Sequence, residues 1–545
     1  MRYSVPDNWA LSTFENLLTF VLGGDWGKDI NFDDPGYEQA LCIRASELRN
    51  WEVEKGESAA LRKVKKTSLE KRELYKGDIL VEISGGGPDQ PVGRTVLIDQ
   101  VVISKNSSIK KICTNFFRLT RPSKEIDSNY LNHYLQHFYK SGNIKDYQAG
   151  SNNLRNLKFN DYLQLEIPVA SFGEQKRIVA KIEELFSELD NGIAALKTAR
   201  EQLKVYRQSV LKHAFEGKLT AKWREENADK LESPEQLLAR IQQEREASYA
   251  KQLEEWKAAV TEWESNGKEG KKPGKPKPKS KAELLSKSEV QRLPDIPKNW
   301  AFLGLGNFIE SIDAGKSFKC DERQPSESEI GVAKVSAVTW GKYDESESKT
   351  CTDPSRVNSN YFVKKGDFIL SRANTIELVG ACVIVHDVTK NIMLSDKTLR
   401  INFHAVNELY ILYYLRSYHG RNEIMGRSTG NQDSMRNIGQ DRVKNIVVPI
   451  CSREEMKVLI RKISKKLDYI SRFSQKVETQ IVRSETLRQS ILKKAFSGQL
   501  VPQDPNDEPA SELLARIQAE KEKRLTSSKT KAGSKRARKS RAAGK

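Results

Sequence analysis

Apolar residues recur every three to four positions along two long stretches of this chain. Stepping alternately by four and three from Ile178 meets Ile182, Leu185, Leu189, Gly192, Leu196, Ala199, Leu203, Tyr206 and Val210, and only Gly192 breaks the stripe. The same steps from Leu459 meet Ile463, Lys466, Ile470, Phe473, Val477, Gln480, Ser484, Leu487 and Ile491, with seven of ten positions apolar. A 3.5-residue period held this long predicts two long helices whose seams pair as a coiled coil; an amphipathic helix lying on a globular core is the alternative. Both helices start alike. Ser171 and Ser452 stand at N-cap positions with Glu174 and Glu455 three residues on, the spacing of a reciprocal capping box. Strand-like runs precede them, LQLEIPV (163–169) and KNIVVPI (444–450). Both also end alike, on RQSVLKHAFEGKL (207–219) and RQSILKKAFSGQL (488–500), which agree at nine of thirteen positions at an offset of 281 residues. Gly217 and Gly498 act as stop signals, and a second helical segment follows each, SPEQLLARIQQEREA (233–247) and PASELLARIQAEKEK (509–523).

The text ahead of each long helix is repeated more loosely. VPDNW (5–9) matches IPKNW (296–300), YKGDILVEISGGG (75–87) matches KKGDFILSRANTI (364–376), and GRTVLID (93–99) matches GACVIVHD (380–387). GSNNLRNL (150–157) matches GNQDSMRNI (430–438), with ArgAsn in register at 155–156 and 436–437. Short strands, turn residues and an occasional helix such as NYLNHYLQHFY (129–139) predict mixed α/β regions. The fold class is α+β: two mixed regions alternating with two long helices in a tandem pseudo-repeat, whose helices stayed similar while the globular halves diverged.

Composition narrows the function. The chain has 545 residues, enough for several domains. It contains no apolar run long enough to span a membrane, and its start lacks the basic and apolar regions of a secretory signal, so a cytoplasmic location is expected. Six scattered cysteines with no CxxC pair suit free thiols in a reducing compartment. The net charge of +19 is concentrated in two places: residues 521–545 carry eleven Lys/Arg against one Glu, and 265–282 carry seven Lys against one Glu. The rest of the chain is therefore near neutral, and charge alone does not establish DNA binding. These two stretches read as a disordered tail and an extended linker, either solvated or in non-specific phosphate contact.

A search for catalytic chemistry finds none. GGGPDQPVG (85–93) lacks the GxGxxG spacing, and AGKS (314–317) lacks a P-loop's first glycine because Glu310 stands there. His133 and His137 lie four apart on a predicted helix without a third ligand, which fits a surface or core-edge pair better than a metal site.

Two diverged regions each entered through PxNW, each carrying KGD-[IF] and a GSxNLRNL-like turn, then a long helix ending RQS[VI]LKxAFxGxL, resemble the specificity subunit of type I restriction–modification enzymes from about residue 5 to 520. The resemblance implies target recognition domains at 1–170 and 291–451, each reading part of a split DNA sequence. Between and after them it implies a central helical region at 171–264 and a C-terminal helical region at 452–520, whose long helices form an antiparallel coiled coil holding the domains apart. The Lys/Pro-rich linker (265–290) and the basic tail (521–545) complete the chain. It further implies double-stranded DNA, two modification (methyltransferase) subunits and restriction (translocase–endonuclease) subunits as partners. No catalytic residue, metal or cofactor is expected on this chain; S-adenosylmethionine, ATP and Mg²⁺ are expected on the partners. A coiled-coil scaffold that binds only protein is the competing reading.

Groove reading needs donors and acceptors on loops that approach the bases. In the first half this selects Ser84, Gly85, Gly86 and Gly87 after GDILVEI, then Arg94, Asn152, Asn153 and Arg155. In the second it selects Ser371, Arg372, Asn374 and Thr375, then Asn431, Gln432 and Arg436, with Arg372 the best single candidate. A turn-forming or sheet-edge role is the alternative for each. Arg207, Phe215, Arg488 and Phe496 of the repeated sentence are expected to dock partners or pack helix ends, and the two phenylalanines fit a plain core role equally well.

Overall fold

The computed structural model describes residues 5–87, 90–150, 155–270, 272–276, 278 and 281–524. Two compact units result. A terminal unit takes the described residues up to Lys197 and those from Glu478 onward, and a central unit takes Thr198–Val477. The two 44-residue helices, Phe172–Phe215 and Arg453–Phe496, run from one unit into the other.

Strand for strand, the units share one plan. In the terminal unit a four-stranded antiparallel sheet orders Leu18–Gly23, Phe117–Pro122, Ile79–Glu82 and Thr95–Leu97; in the central unit the order is Ile309–Ala314, Thr398–Phe403, Phe368–Ser371 and Cys382–Ile384. A three-stranded sheet with one parallel pair joins Ala60–Lys65, Tyr37–Ile43 and Lys111–Cys113, and its counterpart joins Ser348–Thr350, Ile330–Ala333 and Asn391–Met393. Strand Ala10–Thr13 pairs with Glu166–Val169, as Ala301–Gly304 pairs with Val447–Ile450.

The repeated sentences close each unit. In the terminal unit, Ile178 and Ile182 at the start of the first long helix share a core with Ile491, Leu492 and Phe496 at the end of the second. In the central unit, Leu211 and Phe215 share a core with Leu459 and Ile463. Each time a start lies beside an end, so the helices run antiparallel. Phe496 is fully buried, edge-on to Tyr130 and Tyr134; Phe215 is fully buried, edge-on to Tyr410 and Tyr414. Neither is available as a docking surface, which corrects the partner-facing expectation in favour of the core role.

Glycine is required at 217 and 498. Both have φ near +70°, and a Cβ would lie 2.3 Å from Pro297 and 2.2 Å from Pro6 respectively, so the proline of PxNW seats on the helix stop. The tryptophans finish the junction. Trp9 Nε1 donates to Glu174 Oε2 at 2.9 Å, and Trp300 Nε1 donates to Glu455 Oε2 at 2.9 Å. The capping box is therefore half of the expected one. The serine hydroxyls accept from the Glu174 and Glu455 amides, but the carboxylates turn to tryptophan instead of the N-cap amide. Each carboxylate also receives the loop after the other long helix, from Gln503 on Glu174 and from Thr220 and Arg224 on Glu455.

The apolar seam is covered unevenly. Ile178, Ile182, Val210, Ile470 and Val477 are buried, whereas Tyr206, Phe473 and Leu487 are 45%, 42% and 47% exposed. The second helical segment after the first repeat extends over Pro234–Ser265. The described part of the lysine/proline stretch lies along it and is no free linker: Trp256 Nε1 donates to the Pro273 carbonyl at 3.0 Å and Trp263 Nε1 to that of Gly270 at 3.3 Å. The basic tail beyond Arg524 lies outside the described residues.

Candidate nucleic-acid interface

In each unit the two stretches singled out for groove reading meet in one small sheet. Ser84–Gly86 pairs with Arg155–Leu157, which pairs with Gln148–Ala149. Ala373–Asn374 pairs with Met435–Asn437, which pairs with Thr429–Gln432. The registers correspond, Ser84 opposite Asn156 and Ala373 opposite Asn437. Loops about 60 to 70 residues apart in sequence are thereby held on one ladder.

The arginines of the repeated ArgAsn pair look inward. Arg436 Nη1 donates to the Gly430 carbonyl at 2.6 Å and Nη2 to Ser428 Oγ at 3.0 Å; Arg155 Nη1 donates to the Gly150 carbonyl at 3.3 Å. Both brace the turn, whose glycines have φ of +142° (Gly150) and +127° (Gly430). Strand alternation then turns the next residue out, leaving Asn156 and Asn437 exposed. The sequence reading passed over these two asparagines, although their shared register was the signal that marks them. Asn431 and Gln432 are exposed on the hairpin, beside Met435 at 72% exposure. Asn152 and Asn153 lie outside the described residues.

The remaining candidates divide. Arg94 is held by Glu82, whose side chain is fully buried: Nε donates to Oε2 at 2.9 Å, and Nη2 reaches Oε1. Its guanidinium anchors the sheet. Ser371 is buried, accepting from Asn374 Nδ2 at 3.4 Å, while Asn374 Oδ1 takes the Thr375 amide at 2.9 Å, so these three shape the loop. Gly86 packs against Val92, Gly85 is exposed, and Ser84 and Gly87 are half-buried. Arg372 differs from the other arginines. Its backbone is fixed by Lys397 and Ile438, yet its half-buried side chain makes no hydrogen bond or ion pair among the described residues. Arg488 pairs with Asp190 and stacks over Phe186 at 4.8 Å, a contact within the terminal unit. Arg207 is exposed.

Beside Gly85 the terminal unit opens a cavity of about 510 Å³ walled by Trp26, Phe116 and Asn115, with Arg44 at its edge. At the corresponding places the central unit carries Ser317, Lys397 and Asp396. His133 and His137 are core residues: burial pushes His133 down to about 4, and His137 stacks on Phe496. Among the described residues no group of three or more His, Cys, Asp or Glu side chains could hold a metal, and no helix is long and apolar enough to cross a membrane.

No known protein-family profile matches the chain. It is 24% identical over 537 residues to the type I restriction enzyme EcoKI specificity subunit of Escherichia coli K12, covering 95% of this chain and 96% of that one. To the StySPI specificity subunit of Salmonella potsdam it is 22% identical over 535 residues, covering 95% and 97%. A chain solved in work on complex assembly and conformational transition of the type I R-M system superposes with a TM-score of 0.59 at 14% identity, covering 92% of this chain and all of that one. Over nearly its whole length the chain is thus similar in sequence to specificity subunits of type I restriction enzymes, and it shares its fold with the solved chain of the type I R-M system.

Proposed function

We propose that this subunit reads a two-part DNA sequence, one part with each unit, and carries the modification and restriction subunits that act on it. The observation that carries this reading is the repeated small sheet. The same order of three strands recurs in both units and, beyond the shared Asn156 and Asn437, presents unlike exposed residues, as two readers of different half-sites require. Hydrogen-bonding side chains on the ladder would read base edges, and Arg372, which has no side-chain partner among the described residues, would contact guanine or phosphate. The chain itself supplies position rather than bond chemistry. Adenine methylation with S-adenosylmethionine and ATP- and Mg²⁺-dependent cleavage would fall to two modification subunits and to the restriction subunits.

Exchanging residues 1–170 for the matching region of another specificity subunit, then mapping methylated adenines, tests this. One half of the modified motif is expected to change while the other stays. A change in both halves, or in neither, refutes independent reading.

A further inference from the structure

Four of the six cysteines, Cys42, Cys113, Cys382 and Cys451, are buried; Cys320 and Cys351 are half-exposed. Both lie in the central unit, on segments joined by a backbone bridge. The Asp321 amide donates to the Thr350 carbonyl at 3.0 Å, and the Thr350 amide donates back to the Asp321 carbonyl at 2.9 Å. In an antiparallel ladder, a pair that exchanges both bonds is flanked by pairs that exchange none, whose Cα atoms close to about 4.5 Å. Counting outward puts Cys320 opposite Cys351 on one side and Glu322 opposite Lys349 on the other. The second pair verifies the count, because Lys349 Nζ donates to Glu322 Oε1 at 2.5 Å. Alternate residues share a strand face, so the two thiols stand on the face where that ion pair forms. The Cys351 amide points away, donating to the Ile330 carbonyl at 2.8 Å, as a non-exchanging position should. A disulfide needs Cα atoms about 4.4–6.8 Å apart, and this register supplies that.

We propose that Cys320 and Cys351 form a cross-strand dithiol, which a peroxide closes to an intramolecular disulfide that staples the Lys316–Lys319 loop to the strand Ser348–Thr350. One thiolate attacks a peroxide oxygen, the O–O bond breaks, and a sulfenic acid forms while the released hydroxide takes up a proton as water. The second thiol then attacks the sulfenic sulfur, forming the S–S bond and expelling a second water. The two electrons lost by the sulfurs are those that reduce the peroxide. Burial and the facing Cys351 raise the Cys320 thiol, while Lys349 opposes that shift. The stapled loop begins at Gly315, which packs tightly on the Leu394 carbonyl, and the turn that follows ends at Lys397, whose carbonyl accepts from the Arg372 amide at 2.9 Å. The dithiol itself does not depend on DNA reading.

The full chain should be treated with hydrogen peroxide, its thiols counted after denaturation, and its peptides mapped without reduction by mass spectrometry. The expected result is loss of two of the six thiols, one linked peptide pair joining Cys320 to Cys351, and full recovery with dithiothreitol. Cys320→Ser should leave Cys351 arrested as a sulfenic acid that dimedone traps. Separate oxidation of the two residues without a linked pair, or a link from either to a buried cysteine, overturns the proposal.

Discussion

The same backbone place on the small-sheet side of each unit carries Ile83 in one and Arg372 in the other. The equivalence is physical. The Ile83 amide donates to the Phe116 carbonyl as that of Arg372 donates to Lys397, and the carbonyls of both accept from the strand beyond, at Leu157 and Ile438. One residue earlier the contrast reverses. The terminal unit buries Glu82 and holds it with Arg94, where the central unit has Ser371 and Ala381. One unit therefore uses its arginine to neutralise a buried carboxylate, and the other leaves its arginine without a side-chain hydrogen bond or ion pair among the described residues. Backbone bonding fixes where a side chain emerges, whereas the neighbouring residue decides whether a charge is available to a ligand. Beside the same ladder, Trp26 and Phe116 give way to Ser317 and Lys397. Duplication preserved the frame, and divergence redistributed charge and aromatic surface upon it.

If the frames are equivalent, they should fail equally. Phe215→Ala and Phe496→Ala each remove a fully buried ring from between two tyrosines. Each should cost about 3–5 kcal/mol in chemical denaturation. Losses within about 1 kcal/mol of each other would support equivalent junctions. A negligible loss at either would break the comparison, because that junction would then not hold its unit closed.

Much of that frame was legible in advance, since it rests on local signals. Apolar spacing, the N-cap serines, the stop glycines and the repeated sentence each describe a backbone event the chain must perform nearby. What escaped were partners brought from a distance. Nothing near Glu174 or Glu455 says that a tryptophan about 160 residues away will take the carboxylate from the capping box. Arg94 and Arg372 read alike as exposed cations in a turn-rich sequence, and only the sheet registers reveal that a buried glutamate faces the first. The ladder uniting the candidate loops was foreshadowed by ArgAsn in register, but which of the two residues faces outward needed the strand pairing. Tyr206, Phe473 and Leu487 fit the heptad count and are nonetheless exposed, because periodicity gives a stripe and cannot say how far a partner covers it.

Acid should separate the units next. His133 sits in the terminal core against Phe186, and burial lowers its imidazole to about 4. The equivalent central residue is Tyr413, whose hydroxyl pairs with Ser464 Oγ at 2.9 Å. An unfolded histidine takes its proton near pH 6.5. Between that pH and about 4 the unfolded chain binds a proton the folded chain refuses, so stability falls as the pH falls and drops no further below the window. The loss is about 3 kcal/mol at most. His133→Phe should flatten the pH dependence of denaturation across that window relative to wild type, since the carboxylates titrating there are common to both. An unchanged slope would show that this imidazole is protonated as easily inside as outside.

The smallest effect tests the contrast from which the others follow. Arg372 has no internal partner among the described residues, so Arg372→Ala should leave the denaturation midpoint within about 0.5 kcal/mol of wild type. If its guanidinium faces DNA, the same change should weaken binding of the target duplex by about 1–3 kcal/mol, or roughly 5- to 150-fold. Substitution by lysine then separates the two kinds of contact. A phosphate needs only a positive charge, so Arg372→Lys would bind nearly as wild type, whereas Arg372→Ala would reduce the slope of log affinity against log salt by about one. A guanine edge needs the two-pronged donor, so lysine would lose most of what alanine loses and discrimination at one base pair would relax. Ile83→Arg in the terminal unit completes the comparison, because it places the same cation at the equivalent backbone position beside Phe116 instead of Lys397. Wild-type affinity in Arg372→Ala, measured across a salt series, would mean that an unpaired guanidinium on this ladder faces solvent and nothing else.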